Sequence, residues 1–316
     1  MSEFSDALQA FTRYLSAIEW AALAAALGFH ILRFIARAFA WQNILRAAYP
    51  AATVPFWGTF GAYVGGIGVN SIVPARGGDV LKIVLAKRGI EGSSYATVAA
   101  SLIPETLFDM LVVGAILLWG LTQGVAPSTD TLANLPTVEW RWVFRHPEWG
   151  ILLGAALLAL GIALLLYAAR RVQQFWMRVS QGLAILRRPK RYFGGVVTWQ
   201  ALAWLCRITE IYWFLVAFGL PATLRSALLV IAVQSVATAV PATPGGMGTQ
   251  QGLLVYVFRS APITRTALLS FSVGMNIVLT AFNAVLGFAA ILVMLRTLRW
   301  RHATNAESER AAIEAP

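Results

Sequence analysis

Charge is scarce in this chain of 316 residues: Lys and Arg total 25, Asp and Glu only 14, and together they make 12% of the sequence. An ordinary soluble domain carries roughly 25%. Apolar residues reach 58%, more than a core of this size can hide from water, so the excess must face lipid and a soluble globule is excluded. Cysteine is all but missing, and the single Cys206 rules out a disulfide framework and a cysteine-based metal site. The histidines His30, His146 and His302 are scattered without zinc or iron spacing. No Walker A loop, dinucleotide fingerprint or Ser/His/Asp arrangement is present. No cofactor or metal is therefore expected, and the chain is read as a non-enzyme. The net charge of +11 would suggest nucleic acid in a soluble protein. Here no polar stretch is long enough to form a nucleic-acid-binding domain, so that partner is excluded and the charge is read by its position along the chain.

What is there is a set of long apolar runs. About 20 helical residues cross a bilayer core, which predicts five spans near 18–45, 94–121, 149–170, 193–218 and 264–296 in an all-α polytopic membrane protein. Residues 1–17 read as an interfacial segment, and Glu19, Arg33 and Arg37 within the first span argue against a removable signal peptide. Short loops rich in Lys and Arg stay in the cytoplasm. Arg170, Arg171, Arg178, Arg187, Arg188, Lys190 and Arg191 lie together with no acidic residue among them, so that loop is placed inside. Arg299 and Arg301 put the C-terminus inside as well; they open the stretch 297–316, which turns Glu/Ala-rich and is read as a disordered tail. The 122–148 loop, with Asp130, Glu139, Glu148, Trp140 and Trp142, fits the outer face of a bacterial inner membrane, and five crossings then leave the N-terminus outside.

Two apolar regions are interrupted. The first, 53–90, breaks at Asn70-Ser71-Ile72-Val73-Pro74-Ala75-Arg76-Gly77-Gly78-Asp79; the second, 222–259, breaks at Pro241-Ala242-Thr243-Pro244-Gly245-Gly246-Met247-Gly248. Around the first break the arms are only about ten to eighteen residues, roughly 15–27 Å of helix, which suits a re-entrant hairpin. The second region is close to long enough to span. Val-Pro-Ala followed by Gly-Gly occurs at both breaks. On the loop assignment the first hairpin enters from inside and the second from outside, giving a helix bundle with an inverted-repeat-like core, an arrangement known among transporters. Backbone left unpaired at such breaks must be buried in protein or line a wet cavity.

The ionisable residues at membrane depth cluster around these breaks. Arg33 and Arg37, one turn apart, can snorkel to headgroups or form the wall of a phosphate site. Arg76 sits at the first tip, where Gly77 and Gly78 let backbone approach a ligand; it can receive a phosphate or pair privately with Asp79, and Lys82 can serve either arrangement. Glu105 and Asp109 share a helical face and cannot both stay charged in a low dielectric without cations nearby, so either one is protonated or Arg76, Lys82 or the Arg33/Arg37 pair neutralises them, as a structural salt-bridge knot or a proton relay. Arg207 and Glu210, three apart, can neutralise each other. The second tip offers Gly245, Gly246 and Gly248 as backbone donors without a cation of its own. These groups define an expected headgroup site of Asn70, Arg76, Gly77, Gly78, Lys82, Gly245, Gly246 and Gly248. Arg33, Arg37, Asp79, Glu105, Asp109, Arg207 and Glu210 form the expected ion-pair or relay network.

The Asn70-to-Asp79 hairpin, Glu105 and Asp109 in the next span, and the Pro244-Gly245-Gly246-Met247-Gly248 tip together resemble the lysylphosphatidylglycerol synthase transmembrane-region family. The Arg33-to-Trp41 stretch is similar to the family's arginine-bearing first segment, and the likeness covers roughly 25–296. Where the family commonly has arginine after Glu105 this chain has Thr106, and where it has glutamate after the Gly-rich tip this chain has Gln250 and Gln251. The resemblance implies a stand-alone flippase-like domain over 18–296 without the aminoacyl-transferase domain of fused members. The expected function is thus translocation of a lipid with an anionic or phosphorylated headgroup. A lipid-modifying enzyme or enzyme subunit acting on polyprenyl-phosphate or glycolipid, and a membrane scaffold for a partner, remain the alternatives; a second copy or a lipid-synthesis enzyme is left open as a protein partner.

Overall fold

The computed structural model describes residues 18–73, 77–123, 173–239, 248–259, 261 and 263–314. Those residues are helical, with no strand among them, in line with the all-α expectation. In chain order the helices are α1 (Trp20–Ala48), α2 (Phe56–Ile72), α3 (Gly77–Gly89), α4 (Tyr95–Ala100), α5 (Ile103–Thr122) and α6 (Gln173–Gly182). A short 3-10 turn, Ala184–Arg187, leads to α7 (Pro189–Tyr192), a π-helical turn over Phe193–Val197, and α8 (Thr198–Ala217). The series closes with α9 (Leu224–Ala239), α10 (Thr249–Val257) and α11 (Arg265–Glu314).

Among the described residues three helical stretches are long and apolar enough to cross a membrane: Trp20–Ala48, Tyr95–Gly120 and Arg265–Arg296. They match the first, second and last expected spans. The expected span at 193–218 forms the π-helical turn and α8, which is not among those three, and the 149–170 run and residues 1–17 lie outside the described residues. The stretch after 296 is part of the last helix. It continues α11 to Glu314, in keeping with the helix-forming Ala, Glu and Arg that dominate it. Many apolar side chains of the long helices are exposed, among them Met110, Leu111 and Leu118 on α5 and Ile277, Val285 and Phe288 on α11. That is the surface the composition assigns to lipid.

The chain divides into two compact units. The first comprises Met1–Ala26, Asp109–Ser180 and Ile208–Val273, and the second Leu27–Phe108, Gln181–Arg207 and Gly274–Pro316. Each unit holds one helix pair flanking a Pro/Gly break: α9 and α10 in the first, α2 and α3 in the second.

In the first unit α8 stops at Gly219, whose φ of +67° is open to glycine; the Gly219 N–H donates to the Val216 carbonyl and the Leu220 N–H to the Leu215 carbonyl. Phe214, Ile231, Leu254 and Phe271 are buried there, and Phe218 meets the Phe271 ring edge-on at 5.8 Å.

The second unit is organised by glycines on α2. A Cβ on Gly61 would reach the Met294 side chain at 2.7 Å, one on Gly65 the Ile291 side chain at 3.0 Å, and one on Gly68 the Gly287 Cα at 2.6 Å. As the α2 number rises the α11 number falls, so the two helices run antiparallel along a small-residue face, the packing expected where no water drives helices together. A second face carries Gly66, whose Cβ would meet the Gly78 carbonyl oxygen and the Lys82 Cβ, each at 2.8 Å. The pair α2 and α3 is thereby drawn into contact, and Lys82 is held close to the α2 backbone. Around them Phe34, Trp41, Ile44 and Leu45 of α1, Tyr63 and Val64 of α2, Leu85 of α3 and Met294 of α11 form one buried cluster.

Candidate functional site

One face of α1 repeats polar or aromatic residues every third or fourth position: His30, Arg33, Arg37 and Trp41. This face meets the start of α5, where Pro104 is accommodated in the first turn, a position that has no intrahelical use for an N–H. Glu105 in the same turn places its negative charge at the favourable end of the helix dipole.

Glu105 is 5% exposed and is reached by two cations. Arg37 Nη1 donates to Glu105 Oε1 at 3.1 Å, and Lys82 Nζ stands 3.8 Å from Oε2. The Tyr63 hydroxyl lies 3.5 Å from Oε1, a long contact. Lys82, 8% exposed, also faces two rings, with its Nζ 4.0 Å from the Tyr63 centroid and 4.4 Å from the Trp41 ring. Each such contact contributes about 0.5–1 kcal/mol at an exposed site and about 2 kcal/mol or more when desolvated. Trp41 is fixed in turn, its indole N–H donating to Ser101 Oγ at 2.9 Å, while the Ser101 hydroxyl donates to the Val98 carbonyl. Beside this cluster Arg33 Nη2 lies 3.0 Å from His30 Nδ1. A guanidinium only donates, so Nδ1 accepts, and the proton on Nε2 is given to Asn283 Oδ1 at 2.8 Å.

The tip of the first hairpin is clasped by one side chain. Asn70 Nδ2 donates to Asp79 Oδ1 at 2.9 Å while the Gly78 N–H donates to Asn70 Oδ1 at 2.8 Å. Asn70→Ala leaves both groups without that partner and is expected to cost about 1–3 kcal/mol, read as a lowered thermal unfolding midpoint in detergent.

The second unit thus brings together Arg37, Lys82 and Glu105, with Asn70, Gly78 and Asp79 as a separate clasp on the same hairpin. Gly77 is half-buried against the Val73 side chain. Arg33 is tied to His30 and also lies over the Phe34 ring at 5.3 Å. Asp109 is half-buried one turn beyond Glu105; Arg207 lies over the Trp204 ring at 5.5 Å, and Glu210 is fully buried. Arg76, Gly245 and Gly246 lie outside the described residues. Gly248 has φ +88° and its N–H donates to Gln251 Oε1 at 2.6 Å, so this glycine opens α10. Among the described residues no group of His, Cys, Asp and Glu could hold a metal ion. Tyr63, Ser101 and Asn283 carry no sign of a site in the sequence, and Trp41 and His30, though visible there, are given no part in it; all five are ordinary members of apolar runs until the fold places them around the charges.

No solved structure matches the chain. A UPF0104 membrane protein of Methanocaldococcus jannaschii is 20% identical over 230 residues, covering 71% of this chain and 92% of that protein. The model of the lysylphosphatidylglycerol synthase TM region matches residues 6–287, a stretch that contains the whole buried ion cluster. A membrane-embedded chain with a lipid-related role follows from that match, and the chain belongs to the lysylphosphatidylglycerol synthase TM region family.

Proposed function

We propose that this protein is a lipid translocase of the bacterial inner membrane that moves an anionic or phosphorylated headgroup between leaflets. The observation that carries the reading is the convergence of Arg37 and Lys82 on the one Glu105 carboxylate inside an apolar unit. A buried cation without an anion costs several kcal/mol, so cations in such a place stay neutralised at every stage. A headgroup phosphate supplies the same negative charge as Glu105. It can replace the carboxylate on Arg37, whose planar fork suits phosphate, or on Lys82, which acts as a point charge. With two cations for one carboxylate, the phosphate can take one of them while Glu105 keeps the other, so an anion enters without stranding a charge, and return of Glu105 to both expels it.

The neighbouring architecture supports this reading. The arms α2 and α3, 17 and 13 residues long, are short for full crossings and suit a re-entrant hairpin whose tip carries Arg76 and is clasped by Asn70 and Asp79. An apolar groove of about 530 Å³ beside it is lined by Gly68, Ile72, Val285 and Phe288, a path on which acyl chains stay in lipid while the headgroup moves. The second break, with Gly245, Gly246 and Gly248, serves the opposite leaflet in an inverted repeat, and the C-terminus is cytoplasmic.

The test is dithionite quenching of headgroup-labelled phosphatidylglycerol in proteoliposomes. Wild-type protein should expose inner-leaflet label, Arg37→Gln and Lys82→Gln should each slow exposure by about tenfold or more, and Arg37→Lys should retain part of the rate. Equal rates for wild-type and Arg37→Gln/Lys82→Gln protein would sink the assignment.

A further inference from the structure

A second group of cations lies at the far end of α1, in the same unit. A pocket of about 320 Å³ is lined by Asn43, Arg46, Lys190, Arg191, Gly194 and Gly195. Arg46 comes from the last turn of α1, Lys190 and Arg191 from α7, and the two glycines from the π-helical turn before α8. The three basic side chains are exposed, and among the described residues none of them pairs with a carboxylate. Asn43 Nδ2 donates to the Gly195 carbonyl at 2.8 Å, which pins α1 to the turn and leaves the second amide hydrogen for another acceptor. A Cβ on Gly194 would meet nothing within 4 Å, so this position opens onto free space.

The level of the pocket is marked by aromatic rings. Phe39, one turn before Asn43 on α1, is stacked between Phe56 at 4.2 Å and Trp199 at 4.6 Å, and Trp199 lies one turn after Gly195. Trp57 beside them is 77% exposed and Phe193, next to Gly194, is 62% exposed. Trp57 and Trp199 are of the residue type enriched at the membrane–water interface, which assigns this aromatic group to that level. One helical turn is about 5.4 Å, so the cations sit just beyond the aromatic layer, where lipid phosphates lie. Tyr192, between Arg191 and Phe193, donates its hydroxyl to the Pro104 carbonyl at 3.1 Å, and burial raises its phenol above the usual value, keeping it a donor. The pocket wall is thereby joined to the turn that carries Glu105.

We infer that this pocket is a phosphate-binding site for the headgroup of an anionic membrane lipid, separate from the Arg37–Lys82–Glu105 cluster. Three cations from two elements surround the phosphodiester, Asn43 donates to it, and Phe193 covers the glycerol end. Basic pockets between membrane helices bind anionic headgroups in this manner, with each cation worth about fivefold in affinity. The pocket does not depend on transport, because a headgroup can dock here whether or not the buried cluster exchanges partners.

The experiment is native mass spectrometry of the full chain in detergent, titrated with phosphatidylglycerol, phosphatidylcholine and inorganic phosphate. Wild-type protein is expected to retain phosphatidylglycerol in preference to phosphatidylcholine. Arg46→Gln/Lys190→Gln/Arg191→Gln should weaken that binding by at least about tenfold, and by the same factor in a Lys82→Gln background. Gly194→Leu keeps every charge but fills the pocket, and should lower phosphatidylglycerol binding severalfold. Unchanged binding by both the triple variant and Gly194→Leu overturns the site. Displacement of phosphatidylglycerol by millimolar inorganic phosphate overturns the lipid as its ligand in favour of a soluble phosphate.

Discussion

Replacing Glu105 with Gln is expected to destabilise the protein by about 3–5 kcal/mol, the cost of removing one partner from a buried ion pair. The effect is large because one carboxylate serves both Arg37, at 3.1 Å, and Lys82, at 3.8 Å, and all three lie within apolar packing. Glutamine keeps the shape and can still accept from Arg37, so the loss reports charge and not volume. Thermal unfolding in detergent should show a sharp fall in midpoint for Glu105→Gln. Removing the cations as well, in Arg37→Gln/Lys82→Gln/Glu105→Gln, should recover part of it. If Glu105→Gln unfolds at the wild-type temperature, the cluster contributes little to the fold and the electrostatic account of it fails.

Gly78→Ala should be about as damaging for a different reason. A Cβ on Gly78 would fall onto the Gly66 carbonyl oxygen and within 2.7 Å of the Asn70 nitrogen, both backbone atoms that cannot rotate away. Overpacking typically costs about 1–3 kcal/mol, and a clash with backbone belongs at or above the top of that range. The hairpin must open to admit the methyl group, which pulls the Gly78 N–H from Asn70 and withdraws Lys82 from Glu105. Gly114→Ala is the matched control: its Cβ would meet nothing within 4 Å, and within α5 alanine is favoured over glycine by about 1 kcal/mol. Paired unfolding measurements should show Gly78→Ala strongly destabilised and Gly114→Ala unchanged or improved.

The membrane class and the long helices were legible because they depend on composition and run length, which survive any arrangement of the chain. The pairing of the first broken region was legible in outline, since Pro74 and the glycines at 77 and 78 interrupt an apolar run that is otherwise continuous. Which charges meet was legible only as a set of options, with Arg76, Lys82 and the Arg33/Arg37 pair all candidates for Glu105 and Asp109. The sequence offered Glu105 a neighbour at Asp109 and several cations elsewhere, and only tertiary packing brings Arg37 from 68 residues earlier, with Lys82, to the same carboxylate. The Gly66 contact that brings Lys82 close is equally non-local, for a glycine in an apolar helix carries no sign of the partner it admits. Trp41 and Tyr63 were invisible as site residues because aromatic side chains at helical spacing are the ordinary content of a core. Asn70 was legible as a member of the tip, while its bonds to Asp79 and Gly78 required the two arms to be folded together.

Partner exchange at the buried cluster is tested by a high-resolution structure of the protein in nanodiscs containing phosphatidylglycerol. Phosphate density is expected within about 4 Å of both the Arg37 guanidinium and the Lys82 ammonium, with the Glu105 carboxylate turned away from at least one of them. Glu105 bridging Arg37 and Lys82 in every particle class, with no headgroup density beside them in lipid-loaded protein, would contradict it.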